Sequence, residues 1–495
     1  MKRLPQIHPF LRDETGGILV FFAMAMVVFL GLMALIFDTG RMATTQSELQ
    51  SFSDSVSLAA AAELDGGADA LTRARAAASA LIFDTQTFAQ GSTDLSGDEG
   101  VTLTFYRPDE MGGFTRAAEY ETTSPFRARY VESVVAERAV ETGLSAAFAA
   151  LSQSSAAKNT VSAASVAGLS FEACNVAPVA VCLPTVEFDA KAAVGTSLEL
   201  KASVNVNSLL PGNIAVVDTL TDALDGLQVC AGLIGGALDA CLLAARKPET
   251  ACTGQGGLTI STDVNASGLL QSLDTRLGLF SGLASGLAGS SDFAAAPNVL
   301  SGLTTAAGLC VPNLAATGAA NLGLPKDDCL TAGSCLMQGN GNWSAGRAAY
   351  VSAHFGGADP APSATTRFEF YKAEVAASAK AGGLVGNVVG VVDGVVGGVV
   401  GGLLGSGSTF KPKLCAPPTA ADVNRRLMVV AGIDCSGGGI NGAQAKPAVQ
   451  TYLEVFVLGP SENGLLNVEV SACLGGSCGG GHLETDIRDV VRLVE

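Results

Sequence analysis

The sequence predicts an α+β protein: one N-terminal transmembrane helix runs on into a long helix backed by a small antiparallel sheet, and a β-rich, disulfide-bearing region follows. Three observations carry this. Residues 15–37 form an uncharged apolar run. The segments behind it change from helical to alternating periodicity. All 12 cysteines lie between Cys174 and Cys478, leaving the first third of the chain with none.

The first 14 residues, with Lys2, Arg3 and Arg12, read as a cytoplasmic tail. Thr15 to Phe37 (TGGILVFFAMAMVVFLGLMALIF) carries no charge; at the helical rise it reaches about 35 Å, enough to cross a bilayer. The flanking charges place the N-terminus inside, because the three basic residues precede the span while Asp38 and an isolated Arg41 follow it. The remainder is then exported, and the location expected is a bacterial inner membrane with the bulk in the periplasm. A cleaved secretory signal fits less well: the run exceeds the usual core of about 7–15 residues, and Asp38-Thr39-Gly40-Arg41 is not a small-x-small site. A prepilin-type cut after Gly16 or Gly17 would call for Glu five residues on, where Phe21 and Phe22 stand.

Beyond the span, Met42, Leu49, Phe52, Val56, Leu58 and the alanines to Ala62 continue an apolar stripe at three-to-four spacing that stops at Asp65-Gly66-Gly67. A second helix follows over Ala68 to Leu81, with Arg73 and Arg75 on its polar face. Val101–Tyr106, Arg127–Val140 and the start of Lys158–Leu169 alternate as strands do, and Gly143–Leu151 reads as a short helix. A long helix backed by such a sheet, over residues 38–170, is the outline of a pilin-like module.

From residue 171 to 495 the chain is cysteine-bearing and Gly/Leu-rich. Leu198, Val204, Asn205, Leu209 and Leu210 recur as Leu258, Val264, Asn265, Leu269 and Leu270, which predicts two similar β-rich units. Residues 381–408 form a low-complexity Gly/Val tract whose one charge is Asp393. Its glycines argue against a second membrane helix, each costing about 1 kcal/mol relative to Ala, and favour a hairpin or loop. Leu227–Ala245 and Gly268–Gly289 are similar stretches, and RRLMVVAGI and QTYLEVFVL within Arg425–Val457 read as closing strands.

Composition bounds function. At 495 residues the chain is long enough for several domains. A net charge of −17 with no basic stripe argues against nucleic acid. With His8, His354 and His482 as the only histidines, and neither H-E-x-x-H, G-x-S-x-G nor a G-K-[ST] phosphate loop, nothing points to an enzyme or a cofactor. Cys473, Cys478 and His482 offer three zinc-type ligands, but an exported disulfide between the two cysteines is the better reading. Asp263, Asn265 and Ser267 resemble the D-x-S-x-S metal-dependent adhesion loop of von Willebrand A domains, with Asn in place of the middle Ser. They sustain the alternative of a secreted or surface adhesin with a degenerate von Willebrand A-like region. Cys174 with Cys182, Cys329 with Cys335, Cys415 with Cys435 and Cys473 with Cys478 are close enough to bridge locally; spacing alone leaves the connectivity open.

Arg12-Asp13-Glu14, the span, Asp38-x-Gly40-Arg41, and Leu49-Gln50 with Asp54 and Leu58–Ala61 together resemble the N-terminal domain of TadG-like proteins of the Flp (tight adherence, Tad) pilus assembly system. Cys174 to Pro178 with Cys182-Leu-Pro184 is similar to a C-x-x-x-P…C-N-P element of that family, with Leu183 replacing Asn; Gly341–His354 and Arg425–Pro460 are similar to later blocks. The resemblance implies a non-enzymatic envelope component that binds pilus or secretion subunits, and it is compatible with a homo-oligomer. Individually, Asp38 and Arg41 are also what ends any membrane span, and the alanine run is also ordinary helix-forming sequence.

Overall fold

The computed structural model describes residues 17–81, 83–88, 94–96, 100–109, 112–144, 159–174, 176–203, 209–217, 229–230, 232–246, 253–254, 258–261, 265–288, 290–297, 302–304, 310–312, 323–385, 422–436, 447–475, 478, 480–483 and 487–494. In chain order the elements are helices α1 (Gly17–Ala61) and α2 (Ala70–Leu81), then strands β1 (Phe83–Thr85), β2 (Asp94–Ser96), β3 (Val101–Tyr106), β4 (Tyr130–Ala139) and β5 (Thr160–Ala173). Next come β6 (Val179–Cys182), β7 (Ser197–Ala202), β8 (Asn213–Val216), α3 (Gly235–Ala244), β9 (Thr253–Gly254), α4 (Ala266–Asp274), β10 (Gly302–Thr304) and β11 (Cys310–Pro312). The last third holds α5 (Asp328–Thr331), α6 (Ser344–Phe355), α7 (Arg367–Val385), β12 (Leu427–Ile433), β13 (Val449–Val457), β14 (Leu465–Leu474) and β15 (Ile487–Leu493).

α1 is continuous because its sequence has no proline and is rich in Ala, Leu, Met and Phe. Its first half is apolar on every face and exposed along its length, as a helix seated in lipid must be; Phe21, Phe29 and Ile36 stand out from the protein. Its second half is amphipathic, burying Leu49, Phe52, Val56 and Ala60. The turn into α2 is held by Asp65, which accepts from the Gly67 N–H at 2.8 Å, and by Arg73, which pairs with Glu63, Asp65 and Asp69.

The buried stripe of α1 rests on an antiparallel sheet ordered β15-β5-β4-β3, with β9 pairing the end of β5. β3 and β4 fall where alternation placed strands, although the second begins at Tyr130, three residues later than expected. The expected helix over Gly143–Leu151 lies outside the described residues beyond 144. Gly168 is paired with Tyr130 across the sheet, and a Cβ on it would stand 2.5 Å from the Tyr130 ring, so the ring lies flat on bare backbone. The outer strand β15 comes from the far end of the chain.

β12, β13, β14, β7, β8 and β6 close into a barrel. Neighbours are antiparallel except β6 beside β12 and β7 beside β8. β12 is buried at every position because both its faces are covered, which explains its unbroken apolar sequence. Met428 and Val430 point into the barrel with Leu453, Val455, Leu466 and Val468. Val429, Ala431 and Ile433 point outward into the core shared with α1 and the sheet. α4 packs on the barrel with Leu269, Leu270, Leu273 and the following Leu277. An aromatic cluster of Trp343, Tyr350, Phe355, Phe368, Phe370 and Tyr371, from α6, α7 and the residue preceding α6, covers another part of the barrel exterior.

The expectation of two similar β-rich units in the second region is corrected. The two copies of the faint repeat are not alike: Leu198 lies on β7 while its mate Leu258 lies outside any strand, and Leu209 and Leu210 precede β8 while their mates Leu269 and Leu270 lie on α4, where Asn265 caps a helix. Of the stretches grouped with the Gly/Val tract, Leu227–Ala245 yields α3 and Gly268–Gly289 yields most of α4 and 3-10 turns, both with buried leucines. Residues 381–385 end α7, and the rest of the Gly/Val tract, 386–408, lies outside the described residues.

Candidate functional site

The point where α1 leaves its exposed apolar half and meets the sheet gathers most of the residues marked in the sequence. Asp38 is buried at the exit, only 4% exposed. A Cβ on Gly40 would meet nothing, so close packing does not require a glycine there. Arg41 reaches the sheet module, lying over the Phe88 ring at 5.3 Å and donating to the Glu141 carbonyl at 3.3 Å. One turn and more onward, Leu49 is fully buried. Gln50 donates to the Asp54 carboxylate at 2.9 Å and to the Ala164 carbonyl of β5 at 3.1 Å, and Gln46 donates to the Ser162 carbonyl at 2.7 Å. Deeper still, Ser53 and Ser133 meet hydroxyl to hydroxyl at 2.6 Å, and Ser57 meets Ser165 in the same way. The helix is thus seated on β4 and β5 by an apolar stripe flanked by hydroxyl and amide contacts.

Residues 16–63, the segment just described, match the family model of putative Flp pilus-assembly TadE/G-like proteins. This chain carries a TadE/G-like domain. No curated protein and no solved structure matches the chain. Among the described residues, Ile18–Ala61 of the TadE/G-like domain is the one helix long and apolar enough to cross a membrane.

The sheet that seats the TadE/G-like helix is coupled to the barrel through Arg129, 3% exposed. Its guanidinium donates to the Ala128 carbonyl at 2.7 Å and to the carbonyl of Gln450, and it lies 5.7 Å from the Phe171 ring. Gln450 is available because the β12–β13 ladder skips it: Gly432 pairs with Thr451 and Ile433 with Val449, and the bulge frees its carbonyl from the sheet. Gly66, at φ +80 in the α1–α2 turn, fits here for want of a side chain, since a Cβ would come within 3.1 Å of the Arg129 guanidinium. Burial pulls Arg129 down to about 10, partly offset by Asp65.

Of the disulfide candidates, Cys329 bonds Cys335 and Cys473 bonds Cys478. The local pairing of Cys182 with Cys174 is corrected: Cys182 bonds Cys435, 253 residues away. Fold geometry decides it, for Ile433 pairs with Cys182 in the parallel β6–β12 ladder and brings the two cysteines side by side at the barrel seam. The same bond overturns the local pairing of Cys435 with Cys415, which lies outside the described residues, and Cys174 is also disulfide-bonded. Cys230 and Cys241, not singled out in the sequence, bridge beside α3. The bond between Cys473 and Cys478 withdraws both thiolates from any zinc site with His482, whose ring instead meets Glu454 at 2.8 Å.

Asp263 lies outside the described residues. Asn265 accepts from the Gly268 N–H at 2.8 Å and from the Ser267 hydroxyl at 2.9 Å, the geometry of a helix cap, and these contacts occupy the oxygen an adhesion-type metal site would use. Among the described residues no group of His, Cys, Asp or Glu is arranged to hold a metal ion. His354 is buried against the Tyr350 ring, 4.4 Å between centroids.

Sequence reasoning missed the buried triad that pins α7 to the barrel. Arg367 pairs with Asp327 and, at 2.9 Å, with Glu469 on β14, and all three side chains are wholly buried. Glu469 also accepts from the backbone N–H groups of Arg367 and Phe368, an anion at the start of a helix. Burial nonetheless raises its pKa above the usual carboxylate value, against the pull of Arg367. A signal for part of this was present: Thr366-x-x-Glu369 is a capping box, Glu369 accepting from the Thr366 N–H at 3.3 Å and Thr366 accepting from the Glu369 N–H at 3.2 Å.

Two more buried arginines without carboxylate partners among the described residues, Arg276 and Arg425, converge on the C-terminal end of α3. Arg276 donates to the Leu243 carbonyl, and Arg425 to those of Ala244 and Ala245. The carbonyl end of a helix dipole favours these cations. Desolvation lowers both pKa values, Arg276 to about 10.

Proposed function

We propose that the chain is a non-enzymatic envelope component of Flp/Tad-type pilus assembly. In this reading α1 anchors it in the bacterial inner membrane with a cytoplasmic N-terminus, and the exported sheet and barrel bind pilus or secretion subunits. The observation that carries the reading is the unbroken α1 helix. Its first half exposes apolar side chains on all sides, and its second half is locked into the fold, with no linker between them. Such an anchor is mechanically continuous with the barrel-bearing body, which suits a component that must hold a partner at a set distance from the lipid. The family match over residues 16–63 supports the assembly context, and the disulfides suit an oxidising compartment.

The test joins topology to partner. In membranes, the protein is expected to resist alkaline extraction and to place a C-terminal reporter outside the cytoplasm. Crosslinking from those membranes is expected to recover pilus-assembly subunits, and to recover none when the pilus locus is deleted. Release of intact protein by alkali, or a cytosolic reporter, would overturn the anchoring. Absence of pilus subunits from the crosslinked material would overturn the assembly role.

A further inference from the structure

A cleft runs along the joint between the sheet beneath α1 and the barrel, and its chemistry is unlike the rest of this acidic chain. From the sheet side it is lined by Arg107, Phe126, Arg127 and Arg129; from the barrel side by Asp434 and the segment from Pro447 to Gln450. Three guanidinium groups therefore line one concavity on a protein whose net charge is −17.

The arginines differ in how far their donors are committed. Arg127 has a side chain 27% exposed, and among the described residues its guanidinium meets only Asp434, at 3.6 Å, beyond hydrogen-bond length. Asp434 accepts from Ser436 N–H at 2.9 Å and from the Ser436 hydroxyl through Oδ1, leaving Oδ2 to face Arg127. Arg107 lies flat over the Tyr120 ring at 4.7 Å and makes contacts of 3.1 and 3.4 Å to the Glu119 and Pro108 carbonyls. Arg129 also lines the cleft, but both its terminal nitrogens are held by the Ala128 and Gln450 carbonyls and its Nε is buried, so it offers no donor to an occupant. Asp109, the other acid on the wall, is engaged by the Gly113 N–H at 2.8 Å and the Thr115 hydroxyl at 2.9 Å. Arg127, partly exposed and met only by the 3.6 Å ion pair to Asp434, is thus the least committed of these cations, in a cleft also lined by Phe126 and Pro447.

We infer that this cleft binds an acidic peptide segment of a partner protein, a Glu or Asp carboxylate engaging Arg127 and Arg107 while a neighbouring apolar side chain lies against Phe126 and Pro447. Arginine is suited to the task because its planar fork meets a carboxylate through two parallel hydrogen bonds. The occupant is a peptide rather than a small anion because the apolar side chains of Phe126 and Pro447 line the same cleft as those donors. The inference deepens the envelope-component reading and rests on it, supplying the surface through which the exported body holds its partner.

The probe is a fluorescent peptide of alternating Glu and Leu, with a counterpart in which every Glu is Gln, titrated by anisotropy against the full chain in detergent micelles at low salt. The Glu peptide is expected to bind and the Gln peptide to bind at least about tenfold more weakly. Arg127→Gln, at a partly exposed position that leaves the core intact, is expected to weaken the Glu peptide by about tenfold or more, and Arg107→Gln by a comparable factor. Lys201→Gln, at an exposed position on β7 outside the cleft, is expected to change nothing. Equal binding of the two peptides, binding unaffected by Arg127→Gln, or full displacement of the peptide by inorganic phosphate at equal concentration would each overturn the inference. Alkaline extraction of the same preparation reads the anchoring independently, so failure of the cleft and failure of the anchor are distinguished.

Discussion

Replacing Phe52 by Ala tests whether the membrane helix and the sheet-and-barrel body are one mechanical unit. Phe52 is 2% exposed and sits in the α1 stripe with Leu49, Val56 and Ala60 above β4 and β5. Truncating a buried Phe costs about 3–5 kcal/mol, the lost transfer energy plus the cavity left behind. If α1 and α2 lift from the sheet as a unit, that cost raises the open population by a factor of roughly 100 to a few thousand, at about 1.4 kcal/mol per tenfold. Trypsin reads this opening at Arg73 and Arg75 on α2, where cleavage follows the open population when reclosing is fast. The expected result, in proteoliposomes, is cleavage faster by at least about two orders of magnitude with unchanged retention in the membrane after alkaline washing. Cleavage within about threefold of wild type would refute the docking energetics, since no 3 kcal/mol contact could then be holding the helix down.

Other outcomes follow from the same structure. Arg367→Leu strands two buried carboxylates and is expected to destabilise by about 3–5 kcal/mol, whereas adding Asp327→Asn and Glu469→Gln to it should recover part of the loss; thermal denaturation checks both. Glu369, whose folded pKa is held down chiefly by the Thr365 N–H, contributes stability that is present above about 4.5 and lost as pH falls through the lower folded value. Glu369→Ala should therefore cost about 0.5–2 kcal/mol at neutral pH, with the difference from wild type shrinking in acid, as chemical denaturation at several pH values would show. Replacing both Cys182 and Cys435 by Ala removes the staple on the short parallel seam of the barrel and is expected to cost about 2–4 kcal/mol, read as a lower denaturation midpoint.

The candidate site was legible in the sequence where it depends on neighbours along the chain. The Asp38-to-Asp54 pattern and the stripe at Leu49, Phe52 and Val56 lie on one helix, so their spacing alone places them on a face. Arg129 and Arg367 could not be found in this way. Their partners, Gln450 for one and Asp327 with Glu469 for the other, are brought together only by the assembled barrel and sheet, and an arginine in a polar-looking stretch reads as solvated. Cys182 carried a signal that pointed to the wrong partner, since nearness in sequence favoured Cys174 while strand pairing delivered Cys435.

By itself the sequence determined the apolar span, the long helix behind it, and strands β3, β4, β12 and β13, because hydrophobic periodicity is a local record of which side chains must leave water. Only the tertiary structure decided what those faces meet. It returned β15 from the C-terminal end to complete the sheet under the membrane helix, paired β6 with β12 to close the barrel, and put Leu269 and Leu270 on helix α4 although their repeat mates Leu209 and Leu210 lie in a connecting segment before β8. The physical reason is that periodicity specifies a buried face without specifying its partner. Closing a long loop costs little more than closing a short one, so distant segments compete on nearly equal terms and packing chooses among them.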